Sequence, residues 1–294
     1  MSREYPAERQ KQGKQGISIS FEFFPPNTRE GLIKLSDICD ALNRFRPQYF
    51  SVTFGAGGGN RTKTFRTVRL LLSKNLRVAP HLTCVGLPKP VIRHMLKNYI
   101  RQGIRRIVAL RGDLPETEVH RGDFYYANEL VDFIRTETGS HFHIDVAAHP
   151  EFHPQAINVF AGLENFKRKI AAGADRAITQ YFFNPDAYFR FLDNCHQYGI
   201  TVPIVPGIMP ISHFEKLLRF SRLCGAEIPT WLFKRLEAYR DDEVSLRAYG
   251  IDVVTRLCED LLRGGAPGLH FYTLNQLSPT QHIINQLERC LVHC

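Results

Sequence analysis

Glu22 lies in the segment Ile17-Ser18-Ile19-Ser20-Phe21-Glu22-Phe23, where apolar and polar residues alternate. Period-two alternation marks a strand with one face against a packed layer. Ile17, Ile19, Phe21 and Phe23 share the packed face; Ser18, Ser20 and Glu22 share the other. A carboxyl group on that second face, flanked by aromatics, is partly desolvated. Desolvation raises a carboxyl pKa and suits the group to general acid work near neutrality. The alternative is a structural glutamate paired with an arginine such as Arg111.

Other segments carry chemistry of their own. In Ala109-Leu110-Arg111-Gly112-Asp113-Leu114-Pro115, Gly112 permits close backbone approach to a ligand. Arg111 offers a planar fork for a phosphate or a ring carbonyl, and Asp113 can orient or tune a bound ring. The alternative is a local Arg–Asp turn pair. Gly55-Ala56-Gly57-Gly58-Gly59-Asn60 precedes a helical pattern, as phosphate-binding loops do, but its spacing is neither a P-loop nor a dinucleotide fingerprint. His141, His143, His149 and His153 raise a metal site. Pro150 and Pro154 argue against a continuous helix through the last two, and no HExxH spacing is present, so anion contact is the preferred reading. The aromatic runs Tyr181-Phe182-Phe183 and Phe189–Phe191 read as core.

The elements that must position these residues alternate strand and helix. Strands are predicted over 17–24, 49–54, 78–85, 106–110, 144–148, 177–183, 203–206 and 269–274. Helices are predicted over 29–45, 64–75, 90–102, 126–138, 156–172, 186–198, 213–224 and 279–290, with a helical insertion over 229–239 and 244–263 before the last strand. Gly103, Gly139, Gly173, Gly199, Gly225 and Gly264 stand where left-handed helix caps are expected. Eight such units imply α/β architecture closed as a (β/α)8 TIM barrel. Barrel active sites lie at the carboxyl ends of the strands. Those ends supply Glu22, Thr53, His81, Arg111 with Asp113, His149 with His153, Gln180, Pro210 with Ser212, and Tyr272 with Asn275. The amino-terminal ends show no such concentration, which favours an enzyme over a binding scaffold.

Composition narrows the classes. The 294 residues suit one barrel, expected over 17–294 behind a mobile polar tail, 1–16. That tail has no apolar run, so neither a signal peptide nor a membrane segment is expected. The net charge of +9 contains no long basic block. Basic stretches at 63–69 and 167–169 read as solvated helix faces, so nucleic-acid binding is not expected and a polyanionic small molecule is. The 7 cysteines form no CxxC and read as reduced thiols in a cytoplasmic protein.

Several motifs, in order, then carry a resemblance: Ser20-Phe21-Glu22-Phe23-Phe24-Pro25-Pro26, Ser51-Val52-Thr53-Phe54-Gly55-Ala56, Ala79-Pro80-His81-Leu82-Thr83-Cys84, the 109–115 run, Pro150-Glu151-Phe152-His153-Pro154, Lys167-Arg168-Lys169, Ala177-Ile178-Thr179-Gln180, Pro206-Gly207-Ile208-Met209-Pro210 and Phe271-Tyr272-Thr273-Leu274-Asn275. From about Ile17 onward the chain resembles methylenetetrahydrofolate reductase. The resemblance implies FAD-dependent reduction of 5,10-methylenetetrahydrofolate to 5-methyltetrahydrofolate, feeding methionine synthesis. NADH is the implied reductant, with NADPH also possible, in a ping-pong hydride transfer through flavin N5. It implies Glu22 as the acid that protonates folate N10 and Asp113 as the aspartate tuning flavin and pterin. Thr53, Phe54, Ala56, His81, Arg111, Gly112, Asp113, Ala127, His149, His153, Ala156, Asn165, Arg168 and Lys169 match FAD-contacting positions. Glu22, Thr53, Asp113, Gln180, Lys216, Phe220, Tyr272 and Gln276 match the substrate face, with Leu274 on the same closing strand. Relatives are dimers or tetramers, so a homo-oligomer is expected, with no metal. The C-terminal module that confers adenosylmethionine inhibition on eukaryotic relatives is not expected, nor is that regulation.

The sequence departs from the family pattern at some places. His149 stands where tyrosine is common, Gly162 where an aspartate often touches the flavin ribose, Lys216 in place of glutamine and Gln276 in place of arginine; the 56–60 loop also differs. These changes bear on affinity and rim contacts, not on the reaction class. Two competing readings are a metal-dependent barrel lyase or hydrolase using His149, His153 and Glu22, and a non-catalytic flavin- or folate-binding protein.

Overall fold

The computed structural model describes residues 17–54, 61–112, 122–151 and 158–292. The expected tail, 1–16, lies outside the described residues. Strands β1 (Ile19–Phe23), β2 (Phe50–Val52), β3 (Val78–Thr83), β4 (Arg106–Leu110), β5 (His143–Ala148) and β6 (Arg176–Thr179) alternate with helices α1 (Arg29–Asn43), α2 (Arg61–Ser73), α3 (Lys89–Arg101), α4 (Ala127–Thr138), α5 (Val159–Ala171) and α6 (Pro185–Gln197). Then come β7 (Ile204–Val205), β8 (Gly207–Ile208), α7 (Phe214–Cys224), the inserted α8 (Thr230–Ala238) and α9 (Glu243–Arg263), β9 (Leu269–Tyr272) and α10 (Ser278–Val292).

All strand pairings are parallel. The order is β7-β6-β5-β4-β3-β2-β1-β9-β8. Since β7 and β8 are separated only by Pro206, they are one seventh strand broken at a residue without an amide proton. Its first half pairs with β6 and its second half with β9, which closes an eight-stranded barrel. The Pro206 carbonyl accepts from the His270 amide at 3.0 Å across the break. The predicted TIM barrel, with its helical insertion before the last strand, is the fold observed.

Alternation decides what each strand residue touches. Phe21, Phe23, Phe50 and Phe271 are fully buried between sheet and helices. Phe21 lies 5.7 Å from Phe50 and 6.0 Å from Phe271, centroid to centroid. Inside the barrel a separate small cluster, Tyr49, Ala79, Val108 and Ile178, is flanked by Leu110 and Tyr272. This apolar plug divides two polar layers. Below it, Asp145 is fully buried and accepts from Arg106 at 2.8 Å, Arg176 at 3.1 and 3.2 Å, and the Tyr49 hydroxyl at 3.0 Å. The Tyr49 hydroxyl in turn accepts from Arg176 at 2.6 Å, and the Gln48 side chain does so at 3.0 Å. The amino-terminal ends of the strands therefore do carry a concentration of charge, contrary to the sequence reading. The paired guanidiniums and the carboxylate satisfy one another there, as buried charges must.

Many predicted boundaries shift by a residue or more. Gly264 caps α9 at φ −77, and Gly265, at φ 92, takes the left-handed position. Gly264 answers to packing instead: a Cβ there would lie 2.1 Å from the Phe189 ring. The sixth strand ends at Thr179 rather than 183. The last strand ends at Tyr272 rather than 274, because Leu274 and Asn275 turn out of it with φ 51 and 55. The aromatic runs are core, with Phe182 stacked on Tyr188 at 5.8 Å.

Candidate active site

Above the apolar plug, three residues from three strands converge. Glu22 on β1 is partly buried, with 13% of its side chain exposed. Its Oε2 lies 3.2 Å from His81 Nε2 on β3 and 3.5 Å from His270 Nε2 on β9. His270 Nδ1 lies 2.7 Å from the Ser20 hydroxyl, two residues before Glu22 on the same face of β1. A carboxylate at Nε2 fixes the tautomer: Nε2–H donates to Glu22, and Ser20 O–H donates to Nδ1. The His270 ring stacks on Tyr49 of the plug and meets Tyr272 edge-on at 5.3 Å. His81 is held less completely: its Nε2 lies 3.2 Å from Glu22 in a poorly aligned contact and has no well-aligned hydrogen-bond partner among the described residues. A buried polar atom without an aligned partner is what a binding site leaves for a ligand.

Electrostatics correct the sequence reading of Glu22. Burial pushes its carboxyl up, as expected, but the imidazoles of His81 and His270 outweigh burial and hold it at about 2. Free Glu22 is thus an ionised acceptor at neutral pH, not a raised acid, and its partners are imidazoles rather than Arg111. Burial also pushes the His270 ring below its usual value, which the Glu22 carboxylate offsets only in part. The Tyr272 phenol is pushed well up, first by burial and then by Glu22, and stays a neutral donor to the Thr179 carbonyl at 2.7 Å. Tyr272 packs against the broken seventh strand, where a Cβ on Gly207 would lie 2.2 Å from Thr179 O and 2.5 Å from the Tyr272 ring.

The remaining predicted residues that the structure describes follow strand ends or lie on adjoining helices. Thr53 follows β2, partly exposed, and its amide donates to Phe23 O at 2.9 Å; Phe54 is buried. Arg111 and Gly112 follow β4. Gly112 has φ 85, and a Cβ there would lie 2.9 Å from Thr83, so its glycine serves packing and backbone conformation. His149 follows β5 and Ala127 opens α4. Gln180 follows β6, its side-chain oxygen accepting from the Tyr181 amide at 3.0 Å. On α7, Lys216 is exposed, and Phe220 packs against the core beneath the Arg219 guanidinium. The Gln276 amide donates to Thr273 O at 2.9 Å. Ala56, Asp113, His153 and Ala156 lie outside the described residues. His270 was not singled out from the sequence, although alternation through Leu269-His270-Phe271-Tyr272 places it on the same face as Tyr272.

A dinucleotide can be tested against the outer part of this rim. On α5, Asn165 and Arg168 are exposed. Lys169 is partly buried and its ammonium donates to the Ala147 carbonyl at the end of β5. Burial alone holds Lys169 down, to about 8. An enclosed ammonium with no carboxylate beside it among the described residues would be completed by an anion. With Arg111 on the neighbouring strand end, this donor set fits a diphosphate. Gly162 on the same helix faces open space, so the missing aspartate costs a contact rather than leaving a clash.

Elsewhere, a cavity of about 440 Å³ opens at the opposite end of the barrel, lined by residues including Arg105, Arg135, His141, His143 and Asp175. Its polar groups are largely spent on one another. Arg135 donates to the Gly139, Phe142 and Gly173 carbonyls and to Asp175. Among the described residues, no group of three or more His, Cys, Asp or Glu side chains is arranged to hold a metal, and no helix is long and apolar enough to cross a membrane.

Comparison with known proteins bears on the family and the fold. The chain is 40% identical over 272 residues to the 5,10-methylenetetrahydrofolate reductase of Pectobacterium carotovorum subsp. carotovorum, covering 92% of this chain and 90% of that one. It is 39% identical to the enzyme of the same name from Escherichia coli (strain K12), with the same coverage. Methylenetetrahydrofolate reductase (NADH) 1 of Zea mays is 38% identical over 90% of this chain and 47% of its own. Among solved structures, a Clostridium thermocellum protein described as binding two copies of 5-methyl-5,6,7,8-tetrahydrofolic acid superposes with a TM-score of 0.64 at 16% identity, covering 94% and 96% of the two chains. That likeness concerns the fold. The family model for methylenetetrahydrofolate reductase matches residues 7–288. A chain matched by this family model over nearly its whole length, and about 40% identical to the two bacterial enzymes, belongs to the methylenetetrahydrofolate reductase family of oxidoreductases.

Proposed function

We propose that this protein reduces 5,10-methylenetetrahydrofolate to 5-methyltetrahydrofolate, with NADH as reductant and FAD as the carrier. The observation that supports it most is the Glu22–His270–His81 cluster at the barrel mouth, a charged acceptor between imidazoles with one nitrogen left without a well-aligned partner among the described residues. FAD, when bound, would accept hydride from NADH and pass it to the folate methylene in a ping-pong cycle. Thr53, His81, Arg111, Gly112, Ala127, His149, Asn165, Arg168 and Lys169 would hold it, with Lys169 and Arg111 against the diphosphate. Gln180, Phe220, Tyr272, Lys216 and Gln276 form the substrate side.

In this reading Glu22 delivers the proton to folate N10, although it is ionised when free. Bound substrate excludes the water that reaches Glu22, which raises its pKa. His270, once it takes a proton at Nδ1 and donates it to the Ser20 oxygen, is the adjacent donor that recharges Glu22 through Nε2 and is left neutral with its proton on Nδ1. Asp113 is assigned the tuning of both rings. Free thiols at Cys39, Cys84, Cys195 and Cys258, all buried, support a reducing, cytoplasmic setting. A homo-oligomer is part of the proposal, since relatives assemble this way, and sedimentation velocity tests it.

The test of the reaction is the visible spectrum of the purified protein under anaerobic conditions. A flavin spectrum that bleaches with NADH and recovers on adding 5,10-methylenetetrahydrofolate is expected. A protein that stays colourless after FAD is supplied would overturn the proposal.

A further inference from the structure

Backbone pairing between β1 and β9 ends at the rung joining Glu22 to Tyr272. Past it, the Thr273 amide and hydroxyl both donate to the Glu22 carbonyl, at 3.3 and 2.7 Å. The chain then leaves the strand through Leu274 and Asn275, at φ 51 and 55. Asparagine adopts that left-handed conformation readily; leucine does so only under constraint. The turn carries the Asn275 side chain back over the end of β1. There Asn275 Oδ1 accepts from the Phe24 amide at 2.9 Å, and Asn275 Nδ2 donates to the Phe24 carbonyl at 2.9 Å. One side-chain amide thus satisfies both backbone groups of Phe24, as a neighbouring strand would. The Asn275 amide in turn donates to the Thr273 hydroxyl at 3.2 Å, tying clamp and rung together.

Packing does not do this work instead. Phe24 is 42% exposed, unlike Phe21 and Phe23, so burial does not fix the end of β1. Glu22 stands two residues earlier. Its carboxylate reaches His81 and His270 at 3.2 and 3.5 Å, long enough that a small backbone displacement would lose one or both. We infer that Asn275 is a positioning residue for the Glu22 carboxylate, acting through the backbone of Phe24. Its effect on turnover rests on the function proposed above; its effect on the imidazole contacts does not.

Asn275→Gly isolates the clamp, because glycine keeps the left-handed backbone and removes only the amide. Asn275→Asp keeps the acceptor for the Phe24 amide but sets a carboxylate oxygen against the Phe24 carbonyl, and serves as a second variant if the glycine protein does not fold. The first readout is the ring titration of His270 by NMR in protein without cofactor. Glu22, Arg176 and His81 are the charged groups acting on that ring, and among them Glu22 alone raises it. Losing the clamp is therefore expected to move the His270 midpoint down. The second readout is stopped-flow kinetics of the FAD-loaded protein. Oxidation by methylenetetrahydrofolate is expected to slow at least tenfold while reduction by NADH stays within twofold. An unmoved His270 titration, or equal slowing of both half-reactions, would overturn the inference. Glu22→Gln run alongside separates the two readings. If that variant keeps a full folate half-reaction, the assignment of Glu22 as proton donor fails, and the His270 titration alone decides whether Asn275 positions the carboxylate.

Discussion

Replacing Asp145 by asparagine removes a buried carboxylate that faces two arginines in the lower lumen. Asp145 is fully buried, the Arg176 side chain is 9% exposed and Arg106 is 22% exposed. Asparagine preserves shape but offers a single oxygen, and turns amide hydrogens toward guanidiniums that already donate. Breaking a buried pair from one side costs about 3–5 kcal/mol, because the remaining charge is left uncompensated. Arg106 can recover some solvation, so the lower half of that range is expected. An unfolding entropy of about 2.1 cal/mol/K per residue gives roughly 0.6 kcal/mol/K for a chain of this length, hence a fall in melting midpoint of about 5–7 °C. Differential scanning calorimetry at one fixed heating rate and pH 7 measures it. The same preparation, assayed well below its midpoint, is expected to turn over within about threefold of wild type, since the apolar plug separates this layer from Glu22. A fall below 2 °C would mean that the lower layer is hydrated and does not brace the barrel. A large loss of turnover without a loss of stability would refute the division of the lumen into a bracing layer and a reacting one.

Other outcomes follow from the same geometry. A Glu22 carboxyl held at about 2 when folded, against 4.5 ordinarily, contributes stability that is present above 4.5 and lost as pH falls toward 2. The urea-unfolding advantage of wild type over Glu22→Gln is expected to shrink by about 2 kcal/mol between about pH 5 and pH 3; an advantage flat over that range would contradict the imidazole contacts. Lys169, lowered to about 8 by burial, is expected in cofactor-free protein to react with an amine-acylating reagent along a profile rising through about pH 8, read by peptide mass spectrometry, and to be protected by FAD; an ordinary lysine profile would remove it from the diphosphate site. Gly207→Ala drives a methyl group into Thr179 O and the Tyr272 ring, so the folate half-reaction is expected to fall at least tenfold. An unchanged rate there would show that Tyr272 does not shape the substrate side.

Much of the fold was legible because its signals are local and repeated. Helix faces and strand alternation recur through the chain, and the α/β order admits few closures. What failed was also local, but decided by neighbours. Nothing in Gly264-Gly265 says which glycine turns left-handed, until Phe189 fills the space that a Cβ on Gly264 would need. Pro206 interrupts a strand, yet the barrel passes through it because its carbonyl still accepts from His270. Leu274 carries no sequence signal for a positive φ; the Asn275 clamp on Phe24 accompanies it there.

The site divides in the same way. Period-two reading put Glu22 inside the barrel, and applied to β9 it would have put His270 there as well. Applied to β4, β5 and β6 it places Arg106, Asp145 and Arg176 on the lumen face together, a grouping absent from the sequence reading. Which face a residue occupies is therefore readable, but what its charge does is not. Desolvation alone predicts a raised Glu22. Two imidazoles from strands 59 and 248 residues away in sequence reverse the sign. The lower cluster places guanidiniums around a carboxylate and closes on itself. The upper one places imidazoles around a carboxylate and leaves His81 Nε2 without a well-aligned partner among the described residues. Guanidiniums do not give up protons near neutrality and imidazoles do; the lower carboxylate is hydrogen-bonded by guanidiniums and has His143 only at 3.7 Å, whereas the upper one is met by two imidazoles, so the upper layer is the better built to exchange a proton with a substrate.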